Sequence, residues 1–292
     1  MITKVTSRSN PVFRQCARLL QKKYRDREGK YLIEGVHLVS EAAAYGEKIE
    51  TIIIKHGSRF DRDKGGGDWG RMTKEDRRTR DEDRLLRNLR NSGKICVFDK
   101  KLFDAVSETE MSQGILAVVR KKDFGRGQLK ERIRPGGNIV VLDRLQDPGN
   151  IGTIIRTAEG AGYEAVISIR GTADIFSPKV VRAAAGALFR VPVCFVRDAG
   201  ELVSFVEELG KKLTVTCVRD AQLYSEAELS RDIALVIGNE GNGCDPAILE
   251  QADIRVTIPM GGKLESLNAS VAAGILMYES VRAGGGKPEG GA

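Results

Sequence analysis

Three stretches in the second half of this 292-residue chain set polar side chains and glycines where a strand gives way to a helix. In IPMGGKLESLNASVAAGILMYE, Ile258 to Glu279, a strand end leads into Gly261 and Gly262, and a helix follows. Ser266 is the expected N-cap, because its hydroxyl can accept an orphan backbone N–H. Ser266 and Asn268 thus put small polar groups at a helix N-terminus, where anions and hydroxyls are readily held. Glycines there let a ligand approach the backbone. In VIGNEGNG, residues 236–243, Glu240 is a carboxylate between glycines at a strand end. In NIGTIIRTAEGAG, Asn150 and Thr153 lie near a helix start. Arg156 follows Asn150 by six residues, close to two turns, and is expected near the same strand ends. Such a guanidinium can grip a phosphate. Taken singly these features are bland: a core strand–loop–helix, and a surface arginine. VIGNEGNG is no dinucleotide loop, since the third glycine of that fingerprint falls on Pro246. A nucleotide-dependent oxidoreductase is therefore disfavoured.

The elements that must position these groups follow from hydrophobic periodicity. IVVLD at 139–143 is a continuous apolar strand, as expected when both faces are covered. Ile151, Ile154, Ile155, Ala158 and Ala161 make a helix face that Gly162 stops. EAVISI is a strand, and Ser177-Pro178 opens the next helix. Asp198 and Glu201 form a D-x-x-E cap before Leu202, Phe205, Val206 and Leu209. LTVTCV, IALVIG and IRVTIP are further strands, and Asp245-Pro246 opens a helix to Ala252. Leu267, Val271, Gly274, Ile275 and Tyr278 are the expected buried face of the last helix. The pattern predicts an α/β fold with a mostly parallel sheet over 138–283.

The front of the chain reads as a smaller α/β module. Residues 1–28 form a basic lead-in with a helical stripe of Val12, Cys16, Leu19 and Leu20. Residues 29–120 hold strands at 31–33, 51–55, 95–98 and 114–119, with helices at Val36 to Ala44 and Lys100 to Ser107. Residues 57–84 mix both charges around a triple glycine and read as a surface insertion, or more sharply as an RNA-contacting arm. Glu82 to Asn91 is an expected helix. The basic stretch 121–137, ending Pro135-Gly136-Gly137, reads as a linker, and 284–292 as a disordered tail.

The net charge of +7 is unevenly placed. Residues 1–30 carry nine Lys/Arg against two Asp/Glu, a balance of +7, while 138–283 carry 14 against 19, a balance of −5. Such asymmetry points to a nucleic-acid partner held by the front half, or to a solvated basic helix. No apolar run reaches the ~18 residues of a membrane span, and the start is no signal peptide. Five scattered cysteines without a CxxC, and two histidines, argue against zinc or any other metal site and for a reduced, cytoplasmic protein.

Taken together, the N-x-G-x-x-x-R-T pattern on Asn150, Gly152, Arg156 and Thr157, then VIGNEGNG, then IPMGGKLESLNASVA resemble the first, second and third signatures, in that chain order, of the SpoU family of RNA ribose 2′-O-methyltransferases, in the SPOUT superfamily. The one departure is Ala269, where the family usually has Val. The resemblance implies a trefoil-knotted α/β domain that binds S-adenosyl-L-methionine. It implies cofactor contacts at Gly238, Gly243, Ile258, Met260 and Leu267, with Arg156, Asn150, Glu240, Ser266 and Asn268 as the catalytic set. It also implies a pairing of Glu240 with Arg156. Arg156 would be a general base or a phosphate grip that stabilises a developing alkoxide. A free guanidinium is always protonated, so both roles stay open. LIEG with His37 and Glu41, then Ser107, Thr109 and Gln113 to Val119, resemble the substrate-binding domain of such enzymes, which is similar to a ribosomal protein that grips kinked RNA. That module favours ribosomal RNA of the large subunit. The alternatives are a tRNA ribose methyltransferase, or a non-catalytic RNA-binding or ribosome-assembly protein. The resemblance further implies a homodimer, with Val271, Ile275 and Tyr278 near the interface.

Overall fold

A computed structural model describes residues 2–61, 94–218, 220–264 and 266–285. The chain divides into two compact units, Met1–Lys121 with Phe176–Arg182, and Lys122–Ile175 with Ala183–Ala292.

In the first unit, strands β1 (Ile2–Val5), β2 (Lys30–Glu34), β3 (Ile49–Lys55), β4 (Lys94–Phe98) and β5 (Ile115–Arg120) form a sheet in the order β1-β4-β3-β5-β2. β1, β4 and β3 run parallel, and β5 runs antiparallel to β3 and β2. The residues read as a lead-in belong to this unit. β1 pairs with β4, Ile2 opposite Ile95, and helices α1 (Pro11–Leu19) and α2 (Lys22–Glu28) follow. Phe13, Cys16 and Leu19 of α1 pack with Val5, Phe98 and Phe103. The stripe is thus led by Phe13, with Val12 half-buried. β1 escapes periodicity because only Val5 of its four residues is buried. Helix α3 (Val36–Ala44) ends at Gly46, whose φ of 66° suits glycine. Helix α4 (Lys100–Asp104) is shorter than expected and carries Asp99 as its cap. The supposed insertion begins in packed structure: Phe60 and Asp61 are buried, and Asp61 holds the Gly57 N–H and the His56 ring. The helix expected over 82–91 lies outside the described residues.

The second unit is built on seven parallel strands, β6 (Ile139–Leu142), β7 (Ala165–Ile169), β8 (Val193–Val196), β9 (Lys212–Thr216), β10 (Gln222–Leu223), β11 (Ile233–Ile237) and β12 (Ile254–Thr257). Their order is β10-β12-β9-β11-β6-β7-β8. β8 and β10, which periodicity passed over, are the short edge strands. The stretch read as a linker contains helix α5 (Arg126–Arg132). Its Leu129 is fully buried in this unit's core, with Phe124 and Ile133 packed beside it. Three apolar residues spaced among six basic ones in 121–137 are a faint signal, yet burying Leu129 anchors the segment.

Helix α6 (Pro148–Gly160) lies against β6 and β7. Helix α7 (Pro178–Ala183) follows in the chain, with Ser177 accepting from Val180 N–H, but all of it except Ala183 belongs to the first unit. Helices α8 (Ala199–Glu208) and α9 (Pro246–Glu250) join α5 on one face of the sheet, through Leu202, Phe205, Val206 and Ile248. Alternate strand residues Val140, Leu142, Val166 and Leu235 are buried on the opposite face. Burial of both faces explains the unbroken apolar runs. The last helix, α10 (Ala269–Ala283), packs on α6. Its buried face is Ala273, Leu276, Met277 and Ser280. The expected face is rotated off the core: Val271 is 51% and Tyr278 54% exposed. Both stripes share helical spacing and apolar content, so periodicity alone picks the wrong one. Tyr163 explains the choice, since its buried hydroxyl meets Ser280 Oγ at 3.2 Å.

Candidate active site

Parallel strands bring their C-terminal ends to one edge of the sheet, where the loops after β6, β7, β11 and β12 meet. After β6 the chain enters α6 through Asp147-Pro148. Asp147 is the N-cap and accepts the Asn150 N–H at 2.7 Å, and Pro148 occupies the first turn.

After β11 the chain makes a closed turn. Asn239 N–H donates to Gly243 O at 3.0 Å, and Gly243 N–H donates back to Asn239 O at 2.9 Å. The Asn239 side-chain oxygen also accepts the N–H groups of Gly241 and Asn242. Gly238 is obligatory here: a Cβ would lie 2.4 Å from Cys244 N. Gly243 has φ 67°, the left-handed region. The turn projects Glu240 over the start of α6. Its carboxylate accepts Gln146 N–H at 3.0 Å, Asp147 N–H at 3.1 Å and the Asn150 side-chain amide at 3.2 Å. Partial burial pushes the Glu240 carboxyl upward, but these N–H donors outweigh it and hold the group below its ordinary range.

The loop after β12 completes the arrangement. Asn268, not Ser266, caps α10, its oxygen accepting the Ser270 and Val271 N–H groups and the Ser270 hydroxyl. Ser266 stands two residues before the cap, exposed. With the Asn268 oxygen so occupied, its amide nitrogen donates to Asn150 Oδ1 at 2.9 Å. Asn150 is thereby oriented, and its own amide nitrogen donates to Glu240. The chain Asn268→Asn150→Glu240 has one direction, and it ties all three junctions together. Asn150, 7% exposed, is its buried centre.

The side chains of Ile258, Met260 and Leu267 are half-buried. Among the described residues, no hydrogen bond engages the backbone N–H groups at 258, 260–264, 266 and 267. Half-buried apolar side chains beside glycines suit an adenine ring, so the residues present fit the implied cofactor. Arg156 lies on the exposed side of α6 and is not paired with Glu240. Six residues advance a helix by ~600°, so Arg156 points about 120° away from Asn150. That rotation is why the expected ion pair is absent. Gln146 and Asp147, whose N–H groups hold Glu240, were not singled out from sequence. The Asp-Pro pair was the available signal for the cap. A cluster of Asp143, Arg144 and Asp245 beneath the turn also went unread.

Residues 137–278 match the SpoU rRNA methylase family, and residues 10–117 match the MRM3-like substrate binding domain. The 23S rRNA (guanosine(2553)-2′-O)-methyltransferase RlmP of Bacillus subtilis is 35% identical over 277 residues, 94% of this chain and 97% of that protein. The AdoMet-bound rRNA methyltransferase of Sinorhizobium meliloti superposes with a TM-score of 0.81 at 26% identity, covering 96% of this chain and 98% of the other. The SpoU methyltransferase AviRb of Streptomyces viridochromogenes, solved with AdoMet, gives 0.76 at 29% identity, covering 94% and 98%. Sequence signatures, sheet and junction geometry agree: this chain belongs to the SpoU rRNA methylase family.

Proposed function

We propose that the chain transfers a methyl group from S-adenosylmethionine to a ribose 2′-hydroxyl of ribosomal RNA, with large-subunit RNA as the substrate. The observation that carries this reading is the oriented chain from Asn268 through Asn150 to Glu240. It fixes the relative placement of the three loops at one sheet edge, beside Ile258, Met260 and Leu267.

The cofactor supplies an activated sulfonium methyl. The protein's part is to orient the attacking oxygen and ease removal of its proton. Ile258, Met260 and Leu267 would hold the adenine, with Gly238 and Gly243 shaping the turn beside it. Asn150, Glu240 and Asn268 act as a rigid frame. Ser266, exposed at the loop's end, is free to meet the ribose. Arg156 is exposed and has no carboxylate partner among the described residues, so its fork is available to an RNA phosphate. That supports the phosphate-gripping role over proton abstraction, because a guanidinium does not readily lose its proton.

The basic front half supplies most of the attraction for RNA by releasing counterions from phosphates. The trefoil knot is supported by the path of the chain. After β11, which lies between β9 and β6, the chain places β12 beyond β9 and returns in α10 to pack on α6. The exposed face of α10, with Val271 and Tyr278, is suited to a second copy of this chain. Five free cysteines fit a cytoplasmic setting. Among the described residues no helix is long and apolar enough to cross a membrane.

The test is transfer from tritiated S-adenosylmethionine to 23S rRNA and, separately, to tRNA, with the modified nucleotide mapped. Wild type should label the ribosomal RNA at one ribose, and Arg156→Ala should lose at least about 100-fold, roughly 2.7 kcal/mol of barrier. Labelling of tRNA alone would transfer the assignment to that substrate. Undiminished turnover by Arg156→Ala would remove that residue from the site.

A further inference from the structure

The turn that carries Glu240 closes on itself, so its own hydrogen bonds do not settle where it sits. Its position depends on tethers to the loop after β6, and Arg144 organises those that Glu240 does not make. Arg144 is a non-glycine residue with φ 55°. That conformation, sparsely adopted by side-chain-bearing residues, turns its carbonyl to accept Asn239 Nδ2 at 2.8 Å and Gln146 Nε2 at 2.9 Å. Gln146 also donates to Gly171 O at 2.7 Å, linking the end of β7. The Arg144 guanidinium makes a two-point contact with Asp143, at 2.7 Å through Nε and 3.2 Å through a terminal nitrogen. Asp143 is fully buried. Its second oxygen accepts the Asp245 N–H at 2.6 Å, and the other Arg144 terminal nitrogen stands 3.5 Å from Asp245 Oδ2. Gly171 makes room for the side chain: a Cβ there would lie 3.1 Å from Arg144 Cγ. One residue therefore holds both ends of the turn, Asn239 through its carbonyl and Asp245 through its fork and the carboxylate it balances.

We infer that Arg144 is a positioning residue for methyl transfer, setting the Gly238–Gly243 turn, and with it Glu240, against the cofactor loops. The inference rests on the methyltransferase reading of the site. Arg144 acts through the turn rather than on the reacting atoms. Lysine would keep the charge but lose the two-point fork to Asp143.

A double-mutant cycle on the full chain tests this, with S-adenosylmethionine affinity read by calorimetry. Arg144→Lys alone should weaken binding about tenfold, while far-UV circular dichroism stays that of wild type. Combined with Glu240→Gln, its effect should depart from the product of the single effects by more than about threefold, because both substitutions release one turn. Asp245→Asn, which keeps the helix cap and the backbone N–H to Asp143, is the milder second probe should Arg144→Lys fold poorly; it should couple to Glu240→Gln in the same way. Multiplicative effects in the cycle, or loss of thermal stability with unchanged affinity, would reduce Arg144 to a structural ion pair and overturn the proposal. Failure of the wild-type chain to bind the cofactor would instead overturn the site reading on which it rests.

Discussion

Asn150→Asp changes one atom of the buried centre of the site and sets two carboxylates against each other. The Asn150 amide nitrogen is 3.2 Å from Glu240 Oε1. A carboxylate oxygen in its place brings two negative charges to about 4 Å, worth about 4 kcal/mol at an effective dielectric of ~20 and about 1 kcal/mol in water. Glu240 faces solvent, so about 2 kcal/mol is the expected repulsion. Losing the amide's hydrogen bond to a charged acceptor adds about 1.5 kcal/mol. The sum, about 3–4 kcal/mol, corresponds to a fall of roughly 6–16 °C in the melting point of a domain of this size. The Asn268 contact survives, since aspartate still offers an acceptor to that amide.

The pH dependence separates repulsion from simple loss of a bond. In the wild type the folded Glu240 carboxyl is held low, so its contribution is present above its unfolded value and is lost as pH falls through the folded value. In Asn150→Asp the pair cannot both ionise freely, so one carboxyl rises above its unfolded value. The repulsion then appears as pH climbs through that raised value and is relieved on acidification. The deficit of Asn150→Asp against wild type should therefore shrink between pH 8 and pH 5. Thermal melts by circular dichroism across that range read it directly. A deficit that is constant, or that grows toward pH 5, would refute the electrostatic account of the Asn268→Asn150→Glu240 chain.

Gly238→Ala should displace the Glu240 turn, because its Cβ would meet Cys244 N at 2.4 Å and the Gly243 carbonyl carbon at 2.5 Å. Overpacking of this kind costs about 1–3 kcal/mol, and calorimetry should show cofactor affinity reduced about tenfold or more; wild-type affinity would mean the turn does not shape the cofactor site. For the proposed dimer, sedimentation velocity at micromolar concentration should give twice the chain mass, and Val271→Asp should weaken association at least about tenfold, ~1.4 kcal/mol. A wild-type chain that sediments only as a monomer would sink that reading.

The three junctions were legible from residue type and order alone. Asn150, Glu240 and Asn268 stand in stretches where glycines, a carboxylate and small polar groups fall between apolar runs. The continuous apolar strands likewise announced a sheet covered on both faces, and Asp198, Ser177 and Asp245 marked their helix starts through local cap chemistry. These signals are short-range, so sequence carries them. What sequence could not reach depends on contacts far apart in the chain. Which stripe of α10 is buried was decided by Tyr163 and the packing on α6, because two apolar stripes of equal spacing compete. Arg156 and Glu240 do not pair, since the helix rotation between positions 150 and 156 turns the guanidinium outward while backbone N–H groups of Gln146 and Asp147 claim the carboxylate. β1 and α5 joined their units through a few buried side chains, Val5 and Leu129 among them, that a basic composition concealed. The direction of the Asn268→Asn150→Glu240 chain belongs to the tertiary structure alone: an amide can point either way, and only the donors of α10 on one side and the carboxylate on the other decide it.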